Sequence, residues 1–67
     1  MMTTANLATI STGMRRSAVL EMGRNAVRIT TIVNGHVEEI FQYRTGDTPL
    51  GVVRLIDGNV YRVDIQP

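Results

Sequence analysis

From Asn25 onward, apolar and polar residues alternate with a period of two, the spacing of strands that bury one face. The run 26–33, AVRITTIV, is rich in β-branched residues and stops at Asn34-Gly35, a strong hairpin signal. HVEEIFQYR (36–44) follows, and then GDTPLG (46–51), which is turn chemistry throughout. VVRLI (52–56) runs into Asp57-Gly58-Asn59, a second hairpin signal, and VYRVDI (60–65) completes the pattern. These segments predict a four-stranded antiparallel meander built from two hairpins, over about 26–44 and 52–66. The hairpins resemble each other, with Val27-Arg28-Ile29 matching Val53-Arg54-Leu55, and shared hairpin grammar accounts for that better than duplication.

Ahead of the strands the period changes. Met14, Ala18, Val19 and Met22 form a stripe at helical spacing, with Ser11 or Thr12 placed to cap its start and Gly23 to end it. Met, Arg, Ala, Leu and Glu favour a helix here, and a small sheet needs a cover. A short helix over about 13–22 is therefore expected, making the class α+β. The alternative is an all-β sheet or barrel with 16–22 as an extra strand. Residues 1–11 carry little periodicity and are read as a flexible arm, with 12–67 as the single domain.

Alternation also makes a claim about faces. The odd-numbered strand residues, from Val27 and Ile29 through Phe41 and Tyr43 to Val63 and Ile65, are apolar or aromatic except Thr31 and Glu39. The even-numbered set holds Arg28, Arg44, Arg54 and Arg62. Paired residues keep these sets apart only if their numbers sum to an even value. That predicts three-residue turns, or two-residue turns followed by a bulge, in both hairpins. Ile29 then faces Phe41, Leu55 faces Tyr61, Val53 faces Val63, and Arg54 opposes Arg62. Two directly opposed arginines need a nearby carboxylate, for which Asp64 and Glu38 are placed.

Size and composition narrow the function. The chain has 67 residues, 43% of them hydrophobic and 19% charged, which is globular rather than disordered. The absence of Cys excludes a disulfide frame and thiolate chemistry, and a single His excludes a histidine-built metal site. No apolar run reaches the roughly 18 residues of a membrane-spanning helix. Residues 1–16 faintly resemble a transit peptide, but removing them leaves too little chain to fold, so a cytoplasmic protein is expected. A core this small seldom supplies more than roughly 3–5 kcal/mol, so self-association or a docking partner is expected.

All seven basic residues are Arg, yet the net charge is only +1. GC-rich coding explains the absence of Lys. Each guanidinium is nonetheless a planar fork suited to carboxylates or phosphates. The partner-binding candidates are Arg28, Arg44, Arg54 and Arg62, on a face shared with Ile32, Ile40, Val52, Ile56 and Val60; the bland reading is four solvated arginines lying over their own sheet. His36 with Glu38 offers at most two metal ligands and reads as a polar turn residue. Glu39, on the apolar face, is expected to reach the sheet margin or to pair with an Arg of the N-terminal region. No phosphate-cradling loop and no nucleophile–base–orienter set can be assembled.

The expectation is a non-enzymatic interaction or regulatory protein of the adaptor or inhibitor type, without cofactor or metal, binding an acidic macromolecule through the Arg/aliphatic face. Phage and plasmid proteins of this size supply an analogy and no more. Self-association through the strand edges at 26–33 and 60–66 is one alternative. A nucleic-acid-binding domain is another. It is disfavoured by the charge and by the placing of Phe41, Tyr43 and Tyr61 on the core side.

Overall fold

The computed structural model describes all residues from Met1 to Pro67. Two short helices, α1 (Thr4–Leu7) and α2 (Arg16–Met22), precede four strands: β1 (Ala26–Val33), β2 (His36–Thr45), β3 (Thr48–Ile56) and β4 (Asn59–Ile65). The strands form one antiparallel sheet in the order β1-β2-β3-β4. The expected meander forms, the expected helix over about 13–22 is realised as α2 at 16–22 rather than as a strand, and α1 is a second helix that the sequence reading did not include.

The N-terminal segment is a cover, not a free arm. Thr3 caps α1 by accepting from the Asn6 N–H at 3.0 Å, and Met2, Leu7 and Ile10 are buried. With Val19 and Leu20 of α2 they pack on Phe41, Tyr43, Val53, Leu55 and Val60, which all project from one face of β2, β3 and β4. Three apolar anchors before residue 11 tie down a stretch whose spacing shows no single period. The start of α2 also differs from expectation: its N-cap is Arg15, without a side-chain cap, so neither Ser11 nor Thr12 serves. Gly23 ends it in extended conformation (φ −177°) rather than left-handed. Glycine is needed there for space, because a Cβ would lie 2.7 Å from the Met2 nitrogen.

Both hairpins close with two-residue turns, Asn34-Gly35 and Asp57-Gly58, every one of these residues having positive φ. In the first hairpin the two-residue count runs unbroken: Val33 pairs with His36, Ile29 with Ile40 and Arg28 with Phe41. The expected pairing of Ile29 with Phe41 is therefore wrong, and so is the three-residue turn. In the second hairpin Ile56 pairs with Asn59 and Leu55 with Val60, and then Tyr61 is the extra residue of a bulge. Beyond it Arg54 faces Arg62 and Val53 faces Val63, as expected; only the pairing of Leu55 with Tyr61 fails.

The cover explains the difference. It spans β2–β4, and every β1 residue after Ala26 is exposed. Burial fixes register only where a face is buried. Along β4 it demands the bulge that returns Val63 to the core side, whereas along β1 nothing opposes the turn's own geometry. The third connection also departs from the sequence reading. Gly46-Asp47 alone form the turn, and β3 begins at Thr48 rather than 52. Pro49 is tolerated beside a bulge at Leu50, where the register shifts between Tyr43 and Arg44. Gly51 pairs with Ile65 where a Cβ would meet the Asp64 carbonyl oxygen at 2.6 Å.

Candidate docking face

Opposite the cover the sheet is bare. Because β1 keeps the strict turn register, its odd residues share this open face with the even residues of β2 and β3. Val27, Ile29 and Val33 therefore stand beside Ile40, Val52 and Ile56. Val27 is 50% exposed, Val33 47% and Ile29 41%, and the other three are half-buried only by their neighbours. The inward Val27 of the sequence reading is thus an outward one. On the covered face β1 presents Arg28, Thr30 and Ile32, and Ile32 lies beyond the cover at 69% exposure.

The four candidate arginines do not share a face. Arg54 and Arg62 are opposed on the open side, and alternation after the inward Tyr43 sends Arg44 there too. Arg28 goes to the other side, because it pairs with Phe41. Its charge acts on Tyr43 there, partly offsetting the burial that raises the phenol pKa above its ordinary value. The Tyr43 hydroxyl donates to the Gly23 carbonyl at 3.0 Å.

A carboxylate tempers one of the three arginines that remain. Arg62 Nε donates to Asp64 Oδ2 at 2.8 Å, and this contact raises the guanidinium pKa. Tyr61, released outward by its bulge and 40% exposed, donates its hydroxyl to Glu38 Oε2. That bond raises the phenol pKa, with Arg54 close enough to oppose the shift. Asp64 thus relieves the Arg54–Arg62 opposition from the Arg62 side, one of the two carboxylates the sequence placed there, while Glu38 is engaged by Tyr61. Tyr61 was expected inside. The bulge puts it in solvent, and no residue before it signals that.

Two further contacts organise the margins. Arg16 of α2 donates Nε to both oxygens of buried Glu39 at 2.9 Å and carries its guanidinium 5.8 Å from the Phe41 ring centre. Glu39 pairs with an N-terminal arginine, one of its two expected fates, and the charge-assisted bond holds α2 on the sheet. At the far end His36 Nδ1 lies 2.5 Å from Asp57 Oδ2, while Asp57 Oδ1 accepts from the Val37 N–H at 2.9 Å. Asp57 pins the two hairpin turns together, and these bonds hold its pKa below the ordinary carboxylate value.

One shallow pocket of about 580 Å³ lies between α2 and the β3–β4 turn, lined mainly by polar side chains including Arg15, Arg24, Glu21 and Asp57. No three His, Asp or Glu side chains converge as a metal cage would require, and no helix is long and apolar enough to cross a membrane. No family model, curated protein or solved structure matches the chain.

Proposed function

We propose that this protein is a non-enzymatic interaction module that docks a macromolecule on the open face of its sheet. The observation that carries this reading is the bare aliphatic set Val27, Ile29, Val33, Ile40, Val52 and Ile56 on a domain whose other face already holds the core. Leaving so much apolar surface in water is costly, at roughly 25 cal/mol per Å², and such patches mark interaction sites. Arg54 stands inside the set, between Val52 and Ile56 on β3 and opposite Ile40, with Arg62 beyond it on β4 and Arg44 further along β2; with Glu38 and Asp64 these arginines leave the face a net charge of 3 − 2 = +1. An acidic surface that also presents apolar groups suits that mixture. Arg28 is not part of this site.

The test begins with a partner that co-purifies with the wild-type chain. The double variant Arg54→Glu, Arg62→Glu should lose it in a pull-down while keeping the wild-type circular dichroism. Ile40→Asp should do the same from the apolar side. Retention by both variants would refute the docking face.

Exposed Tyr61 beside Arg54 favours a second reading, a nucleic-acid contact in which a base stacks on the phenol between guanidiniums. Glu38 on the Tyr61 hydroxyl opposes a phosphate there. A gel-shift titration with nucleic acid at two salt concentrations separates the readings, because only the second predicts a shifted band, weakening steeply as salt rises.

A further inference from the structure

The two edges of the sheet are treated differently by the chain. Along β4 the main chain of the cover takes up the edge: Gly13 N–H donates to the Val60 carbonyl at 2.7 Å, Val60 N–H to the Met14 carbonyl at 2.9 Å, and Arg16 N–H to the Gly58 carbonyl at 2.8 Å. The bulge at Tyr61 then disrupts the edge further on. Along β1 there is neither cover nor bulge, and no Pro or Lys. Val33 and His36 flank a two-residue turn and so exchange their backbone bonds, which directs every second residue back from Val33 toward β2. The N–H and C=O groups of Arg28, Thr30 and Ile32 then point outward with no partner strand. The Asp57 N–H bond to the Val37 carbonyl fits this alternation, since it requires Val37 to face β3. Bare edges of this kind are the ones natural sheets usually blunt.

We propose that two copies of this chain pair through β1, antiparallel about a two-fold axis at Thr30, into one continuous sheet with four strands from each copy. A two-fold keeps the open faces of both copies on one side, so partners across the junction must share parity. Centring on Thr30 meets that condition. It sets Val27 against Val33 and Ile29 against Thr31 on the open side, and Arg28 against Ile32 on the other. Arg28 is the only charge on β1. In this register it lies four residues along the strand from its symmetry mate, about 14 Å at 3.4 Å per residue. That exceeds the roughly 8 Å screening length at physiological salt, so the copies do not repel, and the Arg28 stem lies over exposed Ile32. A second copy is the occupant that fits, because β1 is its own complement in charge and apolar spacing. The β4 edge is taken up by Gly13–Arg16 at Gly58–Val60 and bulged at Tyr61, so it lacks the long regular run that β1 offers, and assembly closes at a dimer instead of running to a fibre. The pairing uses edge backbone and not the docking arginines, and it doubles the open face available to a partner.

Sedimentation velocity from micromolar to millimolar protein reads the outcome. The expected mass is twice the 7.4 kDa of one chain, with Arg28, Thr30 and Ile32 amides protected from exchange in the dimer and released on dilution. Thr30→Pro removes an outward N–H that serves no bond within the monomer, and should give a monomer with unchanged circular dichroism. Thr30→Lys opposes two cations at the axis and should do likewise; it decides the matter if the proline variant does not fold. A wild-type monomer at millimolar concentration would overturn the proposal, as would a dimer undiminished by Thr30→Lys. A monomer that still binds an acidic partner through Arg54 and Arg62 would remove the dimer alone and leave the docking face standing.

Discussion

Asn34-Gly35 and Asp57-Gly58 are the same turn: two residues, both left-handed, between β-branched strands. The strands they join are sorted differently. After Asp57-Gly58 the chain inserts Tyr61 as an extra residue, and Val63 comes back to Val53 on the covered side. After Asn34-Gly35 it inserts nothing, and Val27, Ile29 and Val33 are left in solvent. The cause is the reach of residues 2–22, whose side chains pack over β2–β4 and reach β1 only at Ala26. Where a face is buried, packing overrides the turn; where none is, the turn decides the register.

Matched truncations in the two regions give the largest contrast. Leu55→Ala, in the covered hairpin, should cost about 2–5 kcal/mol in a urea melt, enough to unfold most of a domain this small. Ile29→Ala, in the open one, should stay within about 0.5 kcal/mol. Equal losses would mean that β1 is packed after all. Next in size is Glu39→Gln, which weakens the bond holding Arg16 over Phe41 and should cost about 1–3 kcal/mol by thermal unfolding.

A one-residue insertion after Gly35 sharpens the comparison differently. It should turn β1 over, exchanging its faces, for about 1 kcal/mol or less, because neither face is buried. A large loss on insertion would show that β1 is held by more than its turn.

The smallest effect concerns pH. Asp57 is held below its ordinary pKa by His36 and the Val37 N–H, so its contribution is present above the unfolded carboxylate value of about 4 and lost as pH falls below it. Asp57→Ala should flatten that part of the acid-unfolding curve, and an unchanged curve would discount the pin between the turns.

The meander, its strand order and the helix at 16–22 were legible because Asn-Gly and Asp-Gly turns and a run of good helix formers announce themselves locally. The opposition of Arg54 to Arg62, with carboxylates beside it, followed from alternation alone. The place of Arg28 did not. Its side depends on whether a face of β1 is buried, and that depends on Met2, Leu7 and Ile10, whose spacing fits no helix or strand. Pro49 and Gly51 look like turn residues and lie in a strand, because a bulge and a close backbone approach need the same residues as a turn. Arg44, Arg54 and Arg62 lie on the open face that alternation gives them. The aliphatic half supplied by Val27, Ile29 and Val33 was assigned to the core by a parity rule that holds only under a cover.

Cross-strand contacts between backbone Hα protons test this most directly, since they are strong only between residues facing each other in a non-hydrogen-bonded pair. In a nuclear Overhauser spectrum the account predicts contacts from Arg28 to Phe41 and from Thr30 to Glu39. Contacts from Ile29 to Phe41 and from Val27 to Tyr43 would instead place the aliphatic residues of β1 on the covered side, and would contradict it.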